Sequence, residues 1–299
     1  MKKIGMIGIG LMGHGIASNL IKHSYTLSVL EHPGNQPLDD LKRAGARTCT
    51  SVATLAADSE VVILCVTGSP EVEAVVLAED GLIKAMRPGM VLIDCSTALP
   101  SSTERVAHAV QGAGGRFLDA PMTRTPKEAA EGRLNLLVGG DADLFSEMRP
   151  LLSTFAESIT HVGSVGSGHR MKLLHNYVSL GSVALLAEAA ACALRARIDP
   201  EVFIEILVKG GGGGIALERI KPYLLARDSS GLKFAMVNAR KDLSYYNSMA
   251  ERTGAVRAIG QAVLDTFSKA AAIGPDRPVP ELVAILEAGL PESRRAERP

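Results

Sequence analysis

Residues 3–20 read KIGMIGIGLMGHGIASNL. The run Ile4-Gly5-Met6-Ile7 is apolar without alternation, as in a strand buried on both faces. Gly8, Gly10 and Gly13 follow in a G-x-G-x-x-G pattern. Ile16, Ala17 and Leu20 are then spaced for one face of a helix. A dinucleotide needs this strand–turn–helix arrangement. The first glycine permits the tight turn, the second lets backbone approach a pyrophosphate, and the third lets the helix pack close to the strand. The helix N-terminus, with its unpaired N–H groups and partial positive charge, favours the anion. Glu31 ends the next apolar run, Leu27-Ser28-Val29-Leu30, where a carboxylate that binds a ribose diol is expected.

Outward from this turn, the first half alternates apolar runs with helical patterns. The runs are Ile4–Ile7, Leu27–Leu30, Val61–Val66, Met90–Ile93, Phe117–Leu118 and Leu134–Val138. Helical patterns such as Glu71–Leu77 and Ser102–Val110 lie between them. The alternation predicts an α/β fold with a Rossmann-type, doubly wound and mostly parallel sheet, which binds ligands beyond the carboxyl ends of its strands. The pattern changes near Gly163, where Gly163, Gly166 and Gly168 read as a flexible lead-in. Residues 170–196 follow without proline and read as one long helix. Everything after it reads as helical. The expected organisation is a dinucleotide-binding domain over 1–162, an all-α substrate and oligomerisation domain over 163–290, and a disordered tail over 291–299. Gly210 to Gly214 are five consecutive glycines that cannot hold a helix. They read equally as a mobile loop beside a site or as a helix–helix connector.

Composition narrows the function. Charge is balanced, with 32 basic and 32 acidic residues, so no broad basic field favours nucleic acid or an anionic membrane. Lys2-Lys3 precede an apolar run, but glycines interrupt it too early for a signal peptide. No membrane span is expected, and the location is expected to be cytoplasmic. Cys49, Cys65, Cys95 and Cys192 form no C-x-x-C pair and read as buried free thiols. The seven histidines show no metal-ligand spacing.

The chemistry is expected on the long helix and at the strand ends. Lys172, Asn176 and Ser179 are spaced i, i+4 and i+7, which places them on one face. Many neighbours (Met171, Leu173, Leu174, Tyr177, Val178, Leu180) are apolar, so much of the helix is expected to be buried. A lysine desolvated in a cleft can titrate closer to neutrality and exchange the proton that carbonyl–alcohol interconversion requires. His175 reads as a structural histidine, and His14 and His169 as surface or loop residues. Asp119-Ala-Pro-Met-Thr-Arg-Thr-Pro126 follows the Phe117 strand. There Thr123 and Thr125 flank Arg124, whose guanidinium can hold an acid group bidentately. Asp94-Cys-Ser-Thr97 brings Ser96 and Thr97 to the same edge. Lys241-Asp242 reads as a solvated pair on a late helix.

Together these segments resemble the β-hydroxyacid dehydrogenase family, which includes 3-hydroxyisobutyrate dehydrogenase, tartronate semialdehyde reductase and sulfolactaldehyde reductase. The resemblance covers residues 2–290. It runs through Gly8-Ile-Gly-Leu-Met-Gly13, Asp94–Thr97, Asp119–Arg124, Gly166-Ser-Gly-His-Arg-Met-Lys-Leu-Leu-His-Asn176 and Lys241-Asp-Leu243. It implies Lys172 as the catalytic acid/base and Asn176 as its substrate-positioning partner. Thr97 and Lys241 are implied near the cofactor with Leu11, Met12 and the Val66-Thr67 pair, which stands where the family has Leu-Pro. It also implies a homodimer or homotetramer.

Where the family usually has Ser-Gly-Gly, this chain has Thr123-Arg124-Thr125, which resembles the sulfolactaldehyde reductase branch. Ser96, Thr123, Arg124, Thr125 and Ser179 are the expected substrate contacts. The expected reaction is NAD-dependent hydride transfer on a small anionic 3-hydroxy acid or its semialdehyde, without a metal. NAD is expected over NADP because Glu31 repels a 2′-phosphate and no Arg or Lys lies between Glu31 and Leu41. A sulfolactaldehyde or tartronate semialdehyde reductase is the alternative within the family. An imine reductase and a non-catalytic cofactor-binding module are further alternatives, whose relatives lack the lysine.

Overall fold

The computed structural model describes residues 2–290. The predicted disordered tail, residues 291–299, lies outside the described residues. The chain forms two compact units, residues 1–172 and 173–299. The division by compactness falls inside the long helix.

The first unit is built on one sheet. Its strands are β1 (Lys3–Ile7), β2 (Thr26–Leu30), β3 (Arg47–Cys49), β4 (Val61–Leu64), β5 (Val91–Asp94), β6 (Arg116–Asp119), β7 (Met122–Thr123), β8 (Leu134–Gly140) and β9 (Ala156–Gly163). The order is β3-β2-β1-β4-β5-β6-β8-β7, with β9 paired to β8. From β3 to β6 along this order, each pair of adjacent strands is parallel. β8 runs antiparallel to β6 and β7. The apolar runs are continuous because successive residues supply opposite faces. Val61, Ile63, Val91 and Ile93 enter one core cluster. Val62, Leu64 and Leu92 enter the other. Chain order reverses between β1 and β4, and such a switch point opens a crevice at the strands' carboxyl ends.

Over its described residues the second unit is helical, apart from a bridge between Ala235 and Pro278. The long helix spans Ser167–Arg195. By length and composition it could cross a membrane, since an 18-residue window of it has a mean hydropathy of 1.7. Leu180, Val183, Ala184, Ala187 and Ala190 instead lie in the second unit's core. Met171, Leu174, Val178 and Leu185 form an exposed stripe on the same helix, so it is less buried than its composition suggests. The five glycines connect the helices Pro200–Lys209 and Ile215–Ala226. All four cysteines are free, and Cys192 is exposed rather than buried.

Candidate active site

The glycine turn has the geometry its sequence requires. Gly8 has φ +92°, and a Cβ there would lie 2.3 Å from the Cys65 carbonyl oxygen. A Cβ on Gly13 would lie 2.0 Å from the Gly8 carbonyl oxygen. Only glycine permits both approaches. Gly10 differs, because among the described residues, its chain neighbours apart, no heavy atom lies within 4 Å of the Cβ it lacks. It begins the helix Leu11–Lys22 with no side-chain cap. The first-turn N–H groups, unpaired within any helix, are therefore available to an anion.

The following loop closes on this turn. Asn35 Oδ1 accepts the Ile9 N–H at 3.1 Å. Asn35 Nδ2 donates to the Leu30 carbonyl at 2.9 Å, and the Gln36 N–H donates to the Ile9 carbonyl at 2.7 Å. Glu31, His32, Pro33, Asn35, Gln36 and Leu38 line a depression of about 370 Å³. Glu31 follows the end of β2, and Lys42 lies 3.0 Å from its carboxylate. Hydrogen bonds from Lys42 and Thr48 hold the Glu31 carboxyl below the usual range. The residues present thus fit a dinucleotide. Lys42 lies just beyond the segment whose lack of basic residues suggested NAD. Leu11 is exposed and Met12 packs beside the sheet core.

Several predicted substrate contacts have other partners. The Ser96 hydroxyl accepts the Val66 N–H at 3.0 Å, and Ser96 is buried. It therefore bridges two strand ends, beside exposed Thr67 and half-buried Thr97. Thr123 is buried in β7, paired with Asn135. Thr125 caps the short helix Pro126–Ala130, and its hydroxyl and N–H both go to Glu128. This is the T-x-x-E capping box, a signal present in the sequence. Arg124 has φ +83° and donates to Glu157 and to the Arg133 carbonyl. The expected anion clamp is thus engaged by a carboxylate of the chain itself.

The long helix carries Lys172, Asn176 and Ser179 on one face, as their spacing predicts. Lys172 and Ser179 are half-buried, and Asn176 is buried. Asn176 Nδ2 donates to Asp242 Oδ2 at 2.6 Å. Asn176 Oδ1 lies 3.0 Å from His175 Nδ1. Asp242 is buried on the helix Met236–Arg252, with Lys241 Nζ 3.2 Å from its other oxygen. Tyr177 and Tyr246 stack at 3.9 Å beside this link. The Lys241-Asp242 pair is therefore a built polar centre rather than a solvated pair. Arg219 Nη1 donates to the Ser179 hydroxyl at 3.3 Å.

Two further expectations are corrected. The glycine lead-in is close-packed, since a Cβ on Gly168 would lie 2.3 Å from the Leu137 carbonyl oxygen. His169, expected at the surface, is fully buried.

Comparison with known proteins gives these features a context. A family model described as the NAD binding domain of 6-phosphogluconate dehydrogenase matches residues 3–163. One described as the NAD-binding of NADP-dependent 3-hydroxyisobutyrate dehydrogenase matches residues 166–286. An NAD-dependent L-serine dehydrogenase of Pseudomonas aeruginosa is 32% identical over 274 residues, covering 89% of this chain and 91% of its own. A 2-hydroxy-3-oxopropionate reductase of Escherichia coli is 31% identical, covering 81% and 82%. The structure of Mycobacterium tuberculosis 3-hydroxyisobutyrate dehydrogenase with L-serine aligns with TM-score 0.86 and 25% identity, covering 96% and 99%.

Proposed function

The chain belongs to the β-hydroxyacid dehydrogenase family, and from that premise we propose that it moves a hydride between NAD and a small 3-hydroxy acid or its semialdehyde. Lys172 carries the proton, taking it from the alcohol in oxidation and returning it in reduction. The observation that carries this assignment is its half-buried place on the helix face it shares with Asn176, which Asp242 anchors at 2.6 Å. A fixed amide can hold the substrate hydroxyl in line with the lysine, the kind of positioning that lowers the entropic part of a barrier. The glycine turn and the uncapped helix N-terminus hold the pyrophosphate, and Glu31 holds the adenosine ribose. Val66, Thr67 and Thr97 complete the first unit's cofactor set, and the family resemblance assigns Lys241 to the cofactor as well. NAD is preferred because Glu31 remains a carboxylate that disfavours a 2′-phosphate.

The acid group has two candidate holders. Arg124 follows a strand end, but it must leave Glu157 to act. Among the described residues, Arg219 has Ser179 as its side-chain partner and no ion pair with a carboxylate, so its remaining N–H donors suit an anion. We place the acid group at Arg219 and Ser179. The exposed Met171, Leu174, Val178 and Leu185 stripe supports a homodimer or homotetramer. A soluble, cytoplasmic enzyme is the reading that accompanies these assignments.

A steady-state panel tests the proposal. Wild type, Arg124→Gly and Arg219→Gln are assayed with NAD and 3-hydroxyisobutyrate, 3-hydroxypropionate, L-serine, glycerate and sulfonated analogues. Loss of a charge-assisted contact of about 1.5–3 kcal/mol raises KM roughly 10- to 150-fold. We expect this rise in Arg219→Gln and not in Arg124→Gly. The reverse outcome moves the anion seat to Arg124. Turnover of cyclic imines alone would indicate an imine reductase, and no turnover across the panel a non-catalytic module.

A further inference from the structure

We propose that His169 is a positioning residue for Lys172, the centre of a buried clasp that fixes the first turn of the long helix. The proposal rests on the assignment of the proton to Lys172. Every member of the clasp lies within the first unit.

The clasp begins at Asp119, the last residue of β6, whose side chain is fully buried. Its Oδ1 accepts the Gly166 N–H at 2.7 Å, and its Oδ2 accepts the His169 N–H at 2.9 Å. A helix start leaves several N–H groups unpaired and carries partial positive charge. A carboxylate borrowed from a distant strand thus caps the long helix. The approach is close, because a Cβ on Gly139 would lie 2.6 Å from Asp119 Oδ1. Gly168 leaves no more room, with 2.8 Å from its absent Cβ to Asp119 Oδ2.

The imidazole ties the same turn to two other segments. His169 Nδ1 lies 2.8 Å from Thr103 Oγ1. His169 Nε2 lies 3.1 Å from the Ser96 carbonyl oxygen. A carbonyl only accepts, so Nε2 carries a proton and donates it there. Ser96 in turn accepts the Val66 N–H and donates its own N–H to Asp94 Oδ1 at 2.9 Å. One ring therefore connects the strand ends that carry Val66 and Thr97 to the helix that carries Lys172.

Lys172 follows His169 by three residues, about 4.5 Å along the axis at 1.5 Å per residue. Between them lies less than one turn, too little backbone to absorb a displacement of the helix start. A buried histidine that only supports the fold would, when lost, lower the melting temperature and leave the chemistry of the folded enzyme unchanged. A positioning residue changes kcat in the folded enzyme.

The test uses the full chain as His169→Leu, His169→Gln and Thr103→Val, with Lys172→Ala beside them. L-serine and 3-hydroxyisobutyrate are the substrates. Gln keeps an amide N–H near the Nε2 position, whereas Leu keeps only bulk. A misplacement of about 1 Å costs on the order of 100-fold. On that basis, kcat should fall roughly 10- to 100-fold in His169→Leu and roughly threefold to tenfold in Thr103→Val, with His169→Gln within roughly threefold of wild type. KM and the NAD Kd should stay near wild type, and the pH profile of kcat should move in His169→Leu but not in His169→Gln. Acetic anhydride labelling of the cofactor-free protein, read by peptide mapping, should modify Lys172 at an altered rate in His169→Leu. Other lysines of the first unit should label as in wild type.

Wild-type kcat, pH profile and Lys172 labelling in a folded His169→Leu would overturn the clasp, whatever its melting temperature. A rise in NAD Kd that matches the loss of kcat would overturn it too, since the cofactor segments would then be what moved. If His169→Leu does not fold, Thr103→Val decides, and wild-type kinetics and labelling there refute the proposal. An active Lys172→Ala removes the underlying assignment instead, and an inactive Lys172→Ala with an unaffected His169→Leu removes the clasp alone.

Discussion

Gly10→Ala separates folding from cofactor binding. Gly10 sits at φ −79° and ψ −162°, which alanine adopts without strain. Apart from its chain neighbours, the added methyl meets no heavy atom of the described residues within 4 Å. Glycine-to-alanine changes at compatible positions stabilise by about 0.4–1 kcal/mol through the unfolded chain. The weaker N-capping of alanine offsets a similar amount. Apo stability should therefore stay within about 1 kcal/mol, a melting shift of no more than roughly 2–4 °C. The methyl does occupy the approach of a pyrophosphate to the turn. Overpacking costs about 1–3 kcal/mol, or roughly 5- to 150-fold in Kd. Calorimetric titration of NAD and a thermal melt of the apo protein measure the two effects separately. Gly13→Ala should behave in the opposite way and lower apo stability, because its methyl would lie 2.0 Å from the Gly8 carbonyl oxygen. A folded Gly10→Ala that binds NAD with the wild-type Kd would refute the reasoning.

Further perturbations test the surroundings. Glu31→Gln removes the carboxylate that disfavours a 2′-phosphate and leaves Lys42 beside the site. The ratio of kcat/KM with NADP to that with NAD should rise at least roughly tenfold, about 1.4 kcal/mol, and an unchanged ratio would remove Glu31 from cofactor choice. Asp94 is fully buried, and burial raises its carboxyl above the ordinary value. A carboxyl raised in the folded state favours folding below its unfolded pKa and loses that contribution as pH rises through the folded pKa. Asp94→Asn cannot ionise, so its apo melting temperature should exceed wild type at neutral pH and the gap should close in acid. A gap that widens in acid would show the opposite shift.

The parts of the fold that were legible in sequence are those that local chemistry dictates. The glycine turn could be read because steric demands at Gly8 and Gly13 exclude every other side chain. The central strands could be read because burial on both faces writes them as continuous apolar runs. β3 and β9 were not legible. β3 is three residues, Arg47-Thr48-Cys49, and β9 is an edge strand of mixed polarity, AESITHVG. The site divides in the same way. Helical spacing alone places Lys172, Asn176 and Ser179 together. Asp242 gave no local signal, since its burial depends on Asn176, 66 residues away. Arg124 is visible in sequence at its strand end, but its partner Glu157 stands 33 residues further on. His169 is buried because Asp119, Thr103 and Ser96 come from three separate segments, and nothing in its own neighbourhood marks it.

In the proposed function, Lys172 supplies the proton for a hydride transfer to or from NAD. The most direct measurement compares wild type with Lys172→Ala, following reduced nicotinamide with the 3-hydroxy acid that wild type turns over, and titrating NAD into both. Loss of a general acid/base should lower kcat by roughly 10²–10⁴-fold while the NAD Kd remains that of wild type. A Lys172→Ala enzyme that turns over at the wild-type rate would contradict the account.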